Sequence, residues 1–276
     1  TPTPTAYGHV WSAYTEDDLG LDEAVLGISE NFDGRLSGDL SVSTNGRATT
    51  VHTANLKLKN LLTTDQLIVG LQSQPYVGHM EAALHTRWLS PTFAEAAGML
   101  PPRDAGASYS FGSGPVGMSI HARNDVPKDE HQTYGVMLTA SPTNWMEVVL
   151  HGEHKSLNKD RVYDAALVFK GYSAVYAIEA GKQDPDAEEV DSTTAFGGTL
   201  TYGFTPQFGV YVQYLTGDDA FKAAKDYDGV GAAGPTYKYS DHLNTALLYR
   251  VVEATDDHGE EVKRKDGVEL RGALSF

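Results

Sequence analysis

Val268-Glu269-Leu270-Arg271-Gly272-Ala273-Leu274-Ser275-Phe276 changes character at every residue: Val268, Leu270, Gly272, Leu274 and Phe276 fall on one face, Glu269, Arg271, Ala273 and Ser275 on the other. Successive side chains of an extended chain point to opposite sides, so a period of two marks a strand between two different environments. The pattern recurs upstream. Phe208, Val210, Val212 and Tyr214 oppose Gly209, Tyr211 and Gln213, and Met146, Val148 and Leu150 oppose Glu147, Val149 and His151. Tyr163, Ala165, Leu167 and Phe169 oppose Asp164, Ala166, Val168 and Lys170. Helical spacing is scarce; residues 79–89, with Met80, Ala83 and Leu84 on one side, suggest one short helix.

Short polar turns and longer charged connections alternate between these segments. The turns are Asp33-Gly34, Thr63-Thr64-Asp65, 112–115, Pro142-Thr143-Asn144, Gly171-Tyr172-Ser173, Thr205-Pro206-Gln207 and Ser240-Asp241-His242. The longer connections are about 15–22, 44–50, 74–103, 124–131, 156–161, 182–192, 217–227 and 254–267. Asp-Gly is a strong hairpin signal. The alternation predicts an all-β, antiparallel, up-and-down barrel of about 16 strands, spanning residues 1–276 as one domain, with its two ends in different compartments. If residues 229–239, which contain Pro235, do not form a strand, about 14 remain.

What lies against the apolar face decides the class. The chain has 276 residues, a mean hydropathy of −0.33 and no run near the roughly 18 apolar residues of a membrane helix. A membrane barrel hides its apolar half in alternation, so this excludes helical spans alone. The absence of Cys removes disulfides and thiolate metal sites. A net charge of −16 without a basic run argues against nucleic acid. The polar faces carry small residues such as Ser37, Ser41, Ser119, Gly197, Thr199 and Thr201; the apolar faces carry aromatics near strand ends, including Tyr109, Phe111, Tyr163, Phe169, Phe196, Phe204, Phe208 and Tyr214. With Glu30 as an exception, the apolar faces are free of charge, as expected where a Lys or Arg at the bilayer midplane costs about 2–4 kcal/mol. These features predict a transmembrane barrel in a bacterial outer membrane, surrounded by lipid and lipopolysaccharide. At about 16 strands its interior is too wide for side chains to fill and forms an aqueous channel for small hydrophilic solutes. Thr1-Pro2-Thr3-Pro4-Thr5 is the expected opening of a mature chain that has lost its leader. A closed barrel serving adhesion or surface structure and a soluble, carbohydrate-binding β-sandwich are the alternatives.

Three pieces of sequence resemble bacterial porins of the phosphate-selective (porin O/P-like) superfamily: Gly8-His9-Val10-Trp11, the stretch from Ala24-Val25-Leu26-Gly27 to Asn31-Phe32-Asp33-Gly34-Arg35-Leu36, and the closing strand that ends in Phe276. The resemblance implies a homotrimer, a role for Phe276 in the signal read by the barrel-insertion machinery, and a third loop, about 74–103, folded into the lumen as a constriction. Its charged residues are His79, Glu81, His85, Arg87, Glu95, Arg103 and, beside it, Asp104. Anion-specific members of that superfamily resemble one another in a Lys-rich constriction; this loop has no Lys, so a general channel is expected.

The strand registers point Lys57, Lys59, His121, Arg123, His151, Lys170, Arg250 and Arg271 inward, with Asp39, Glu147, Glu153, Asp164, Glu179 and Glu269. The wall is thus near balance. The negative excess sits in the connections Glu16-Asp17-Asp18, 184–191, Asp218-Asp219 and 256–261, which predicts weak cation preference or none, acting within roughly 8–10 Å of the mouth. Asp184, Asp186, Glu188 and Asp191 offer oxygen ligands for Ca²⁺ but lack EF-hand spacing, and a solvated loop is the plainer reading. Ser240-Asp241-His242 and His151 with Glu153 do not assemble a nucleophile, base and orienting group, and no glycine-rich phosphate loop precedes a helix. Neither an enzyme nor a cofactor is expected.

Overall fold

A computed structural model describes the chain apart from residues 1–3, 15–18, 63, 125–131, 157–158, 187–190, 219–220, 223–228, 256–260 and 265–266. Its strands are β1 Thr5–Tyr14, β2 Leu19–Asn31, β3 Leu36–Thr44, β4 Thr49–Lys59, β5 Gln66–Ser73, β6 Arg103–Ser113, β7 Val116–Asn124, β8 Gln132–Thr143 and β9 Met146–Lys155. There follow β10 Arg161–Lys170, β11 Ala174–Asp184, β12 Thr193–Gly203, β13 Phe208–Gly217, β14 Gly229–Lys238, β15 Leu243–Thr255, β16 Glu261–Arg264 and β17 Gly267–Ser275. From β1 to β15 consecutive strands pair antiparallel, and β17 pairs with β1 to close the sheet. Because β16 and β17 both pair with β15, they are two segments of one stave, and the barrel has 16 staves. A single closed sheet leaves no facing sheet, so the sandwich alternative is excluded.

The last stretch of sequence completes the closure. Phe276 and Gly8 exchange two backbone hydrogen bonds of 3.0 Å, and the Phe276 ring covers Gly8 so closely that a Cβ there would stand 2.5 Å from it. Pro235 remains within β14: its pairing with Val210 of β13 is intact, while the ladder toward β15 skips Gly234 and Pro235. A missing donor interrupts one ladder without ending the strand.

Four sequence expectations are corrected here. The connection expected at 44–50 spans only residues 45–48, since Asn45 Oδ1 accepts the backbone N–H of Arg47 and Ala48 and Gly46 adopts φ 80°, a tight turn. Likewise β1 and β2 run to Tyr14 and from Leu19, and much of 254–267 is strand. The helix expected at 79–89 lies instead at α1 Pro75–Leu84: the Gln74 side chain accepts the Val77 N–H at 2.9 Å, Pro75 opens the first turn, and His85 in the left-handed region (φ 55°) ends it. A second helix, α2 Phe93–Ala96, had its signal in the capping box Thr92-Phe93-Ala94-Glu95.

Burial runs opposite to that of a soluble protein. Leu26, Ile28, Leu56, Leu150, Ile178, Phe196 and Leu270 are about half exposed on the outer face, whereas Glu153, Asp164, Glu179 and His151 are buried within. Aromatics flank the outward face in two belts. Trp145, Phe169 and Tyr176 stack toward the short-turn end, and Tyr134, Tyr163, Phe196 and Tyr214 lie toward the other.

The lumen and its inward loop as the candidate functional site

Residues 74–102 pack against the inner wall. The interior of β9–β13 is apolar over a limited patch (Val149, Val162, Ala166, Val168, Ala177, Ala195 and Leu215), and Tyr76, Val77, Met80 and Leu84 of α1 join Phe93, Met99 and Leu100 upon it. Full burial of each such side chain contributes about 1.5–3 kcal/mol. The wall makes room through glycine. A Cβ on Gly181 would lie 2.5 Å from Met99 Sδ, and one on Gly197 would lie 2.5 Å from the Phe93 ring. Farther along, Trp88 and Leu89 rest on Tyr211, Ala232, Ala246 and Leu248. Inward-facing Val149, Ala166 and Val168 break the polar half of the alternation, a legible signal that part of the inner wall is covered.

A buried polar network holds the start of the loop. Gln74 Nε2 donates to Glu153 Oε1 at 2.8 Å and lies 3.1 Å from His151 Nε2, while Tyr76 donates to Glu179 at 3.2 Å. Glu153 also meets His121 at 2.9 Å and Arg123 at 2.7 Å; Arg123 bridges to Asp104, and His151 Nδ1 reaches Asp164 at 3.0 Å. Register explains the reach. His121, Gly135 and Glu153 are cross-strand partners on β7, β8 and β9, and the bare glycine lets His121 cross to Glu153. Arg250 and Arg271 hold the middle of the loop, donating to the carbonyls of Leu89 and Trp88 at 3.0 and 3.1 Å while both pair with Glu269.

The sequence-predicted constriction residues divide between places. Arg87 pairs with Glu81 at 3.3 Å and with both oxygens of Glu95, and Arg103 lies in the field of Glu81 and Glu23. Across from them Glu23 meets His52 at 2.9 Å and His9 at 3.6 Å; sequence reasoning missed all three, although Glu23 breaks the apolar run around it. Burial pushes the Glu81 carboxyl above the usual range, against the lowering effect of Arg87 and Arg103. His79 meets Glu147, which also binds Lys170. His85 is apart from these, exposed at the C-terminus of α1 beside the 205–207 turn, and Asp104 belongs to the Arg123 network.

Of the inward wall residues, Asp39 accepts from Tyr7 at 2.8 Å and from Thr53, and with Lys57 lines an open cavity of about 520 Å³ between the loop and β3–β8. Lys59 is exposed at its strand end. Asp184 and Asp186 pair with Lys182 and Lys159 at 3.7 and 3.6 Å and form no ligand cluster with Asp191 among the described residues; Glu188 lies outside them. So do Glu16-Asp17-Asp18, Asp219 and residues 256–260 of the acidic connections.

No protein-family model matches the chain, and no curated protein matches it. Solved structures do resemble it. The anion-selective porin from Comamonas acidovorans has a TM-score of 0.73 at 13% identity, covering 100% of both chains. OmpT of Vibrio cholerae, an outer membrane protein solved in a trimer form, has 0.70 at 12%, again covering 100% of both. Salmonella typhi OmpF in complex with daunomycin has 0.71 at 13%, covering 99% of this chain and 97% of that one. At such identities the likeness is one of fold.

Proposed function

We propose that this chain is an outer-membrane porin, a water-filled channel for passive diffusion of small hydrophilic solutes and ions. The observation that carries the reading is the inverted sidedness: half-exposed Leu, Ile and Phe cover the outside, and carboxylates, guanidiniums and hydroxyls line the inside. In water so large an apolar surface drives association, whereas in a bilayer it is the required solvent contact. The 276 residues act as one domain in contact with lipid and lipopolysaccharide, and no catalytic residue or cofactor is assigned. Phe276, sealed against Gly8, serves as the insertion signal.

The lumen narrows where Glu81, Arg87 and Glu95 of the loop face Glu23 and Arg103. Three carboxylates against two guanidiniums leave one negative charge, so weak cation preference follows. The resemblance to phosphate-selective porins is carried as architecture, because the loop has no Lys. A homotrimer is supported by the outer surface of β2–β5. Its strands turn Leu, Ile, Val and Ala outward, with Phe32 over Gly38 at one rim, so the interfacial belt is thin where a second copy takes the place of lipid. The trimer form of the Vibrio protein is consistent with this.

Planar-bilayer recording tests the reading: purified barrel should give ohmic conductance steps that scale with KCl concentration. A barrel that inserts and never conducts would support the adhesion alternative instead.

A further inference from the structure

We propose that His121, His151 and Glu153 form a binding site for one transition-metal dication of the Zn²⁺ type on the inner wall. Their ligand atoms, two imidazole nitrogens and one carboxylate oxygen, all lie within 4.8 Å of one another, and all three residues are buried. Glu153 Oε1 is 2.9 Å from His121 Nε2 and 3.5 Å from His151 Nε2. Tetrahedral Zn²⁺ with bonds near 2.0–2.2 Å sets ligand atoms about 3.4 Å apart, so small side-chain adjustments suffice.

Three further features fit a cation. His151 Nδ1 sits 3.0 Å from Asp164 Oδ2, which fixes the proton on Nδ1 and leaves the Nε2 lone pair turned toward Glu153, the arrangement of a metal-bound histidine with its supporting carboxylate. Arg123 holds the other oxygen of Glu153 closely at 2.7 Å and reaches Oε1 only at 3.4 Å, so Oε1 is the oxygen to bind in one-toothed fashion. Carboxyl groups also outnumber cationic side chains around the site. Glu153, Asp164 and Glu179 are all buried, Arg123 pairs with the first, and the other two have no Lys or Arg partner among the described residues. Asp164 Oδ1 and Glu179 Oε1 lack hydrogen-bond partners there. Two imidazoles and one carboxylate favour Zn²⁺, Co²⁺, Ni²⁺ or Cu²⁺ over Ca²⁺ and Mg²⁺.

The Gln74 amide bridges two of the three ligand atoms, at 2.8 and 3.1 Å. An arriving ion must turn it aside, so metal binding competes with one anchor of the inward loop. The proposal does not depend on the channel reading.

Tag-free barrel in detergent, titrated with Zn²⁺ by calorimetry and with Co²⁺ by visible absorption, tests it. One ion per chain is expected, with intense tetrahedral Co²⁺ bands. Gln74→Ala should tighten binding, Asp164→Asn should weaken it by about 10–100-fold, and His121→Gln with His151→Gln should abolish it. Barrel integrity is checked by the heat shift on gels. If the His variants do not fold, Gln74→Ala decides. Absence of binding by Gln74→Ala in a folded barrel overturns the site, as does stoichiometric binding that persists without both histidines.

Discussion

At Gly135 a Cβ would stand 2.3 Å from His121 Nε2 and 2.8 Å from Glu153 Cγ, so this position admits no side chain while those two residues remain in contact. Gly135→Val should destabilise the barrel by about 1–3 kcal/mol, the usual effect of overpacking, seen as a lower denaturant midpoint for loss of the compact gel band. Gly198→Ala, whose Cβ would meet nothing closer than 3.5 Å, should leave that midpoint nearly unchanged. Glu81 makes a second prediction at this scale. Burial raises its pKa, so as pH falls from neutral it takes up a proton before an ordinary carboxyl does. The constriction then loses a negative charge, and the cation preference measured by reversal potential should decline on mild acidification. In Glu81→Gln the preference should be low at neutral pH and flat over the same range; equal pH responses in the two proteins would disprove the assignment.

The inward loop is an element held at two places by different chemistry. At one, Phe93 and Met99 enter notches at Gly197 and Gly181; at the other, two guanidiniums on β15 and β17 grip the backbone carbonyls of Trp88 and Leu89. Removing the second grip should not unfold the barrel, since Arg250 and Arg271 stand on strands whose ladders are independent of the loop. Arg250→Ala with Arg271→Ala should therefore preserve the heat-shifted band yet raise open-channel noise in single-channel recordings. Phe93→Ala should act the same way through loss of a fully packed aromatic, worth roughly 3–5 kcal/mol of docking. How much of this element was legible in sequence follows from its range of interactions. Its length and its place between β5 and β6 were readable, and the Thr92–Glu95 capping box was present to be read. The start of α1 was set by Gln74, a residue type not prominent among helix caps, and His85 left the constriction because it takes the left-handed residue that ends α1. Partners such as Gln74 and His151, 77 positions apart, leave no local trace.

Across the whole molecule, sidedness governs behaviour. The barrel should migrate faster on gels before boiling than after and should partition into lipid vesicles; a monodisperse chain in detergent-free buffer would contradict the membrane assignment. Chain-wide charge of −16 and the net negative constriction act in the same direction on ions. Selectivity should therefore weaken as salt rises and the screening length falls from about 10 Å at 0.1 M to about 3 Å at 1 M. A reversal potential showing strong anion preference would invert the reading and place the weight on Arg87 and Arg103.

The sequence by itself determined the strands, their two faces and the return of the chain on itself in hairpins, because a period of two and turn chemistry are local properties written at each step of the chain. Only the tertiary structure decided which inward groups meet water and which disappear beneath the loop, and which charges oppose one another across the lumen. Those are distances between residues on different staves, fixed by register and closure, and cross-strand contact has no period that a linear reading can detect.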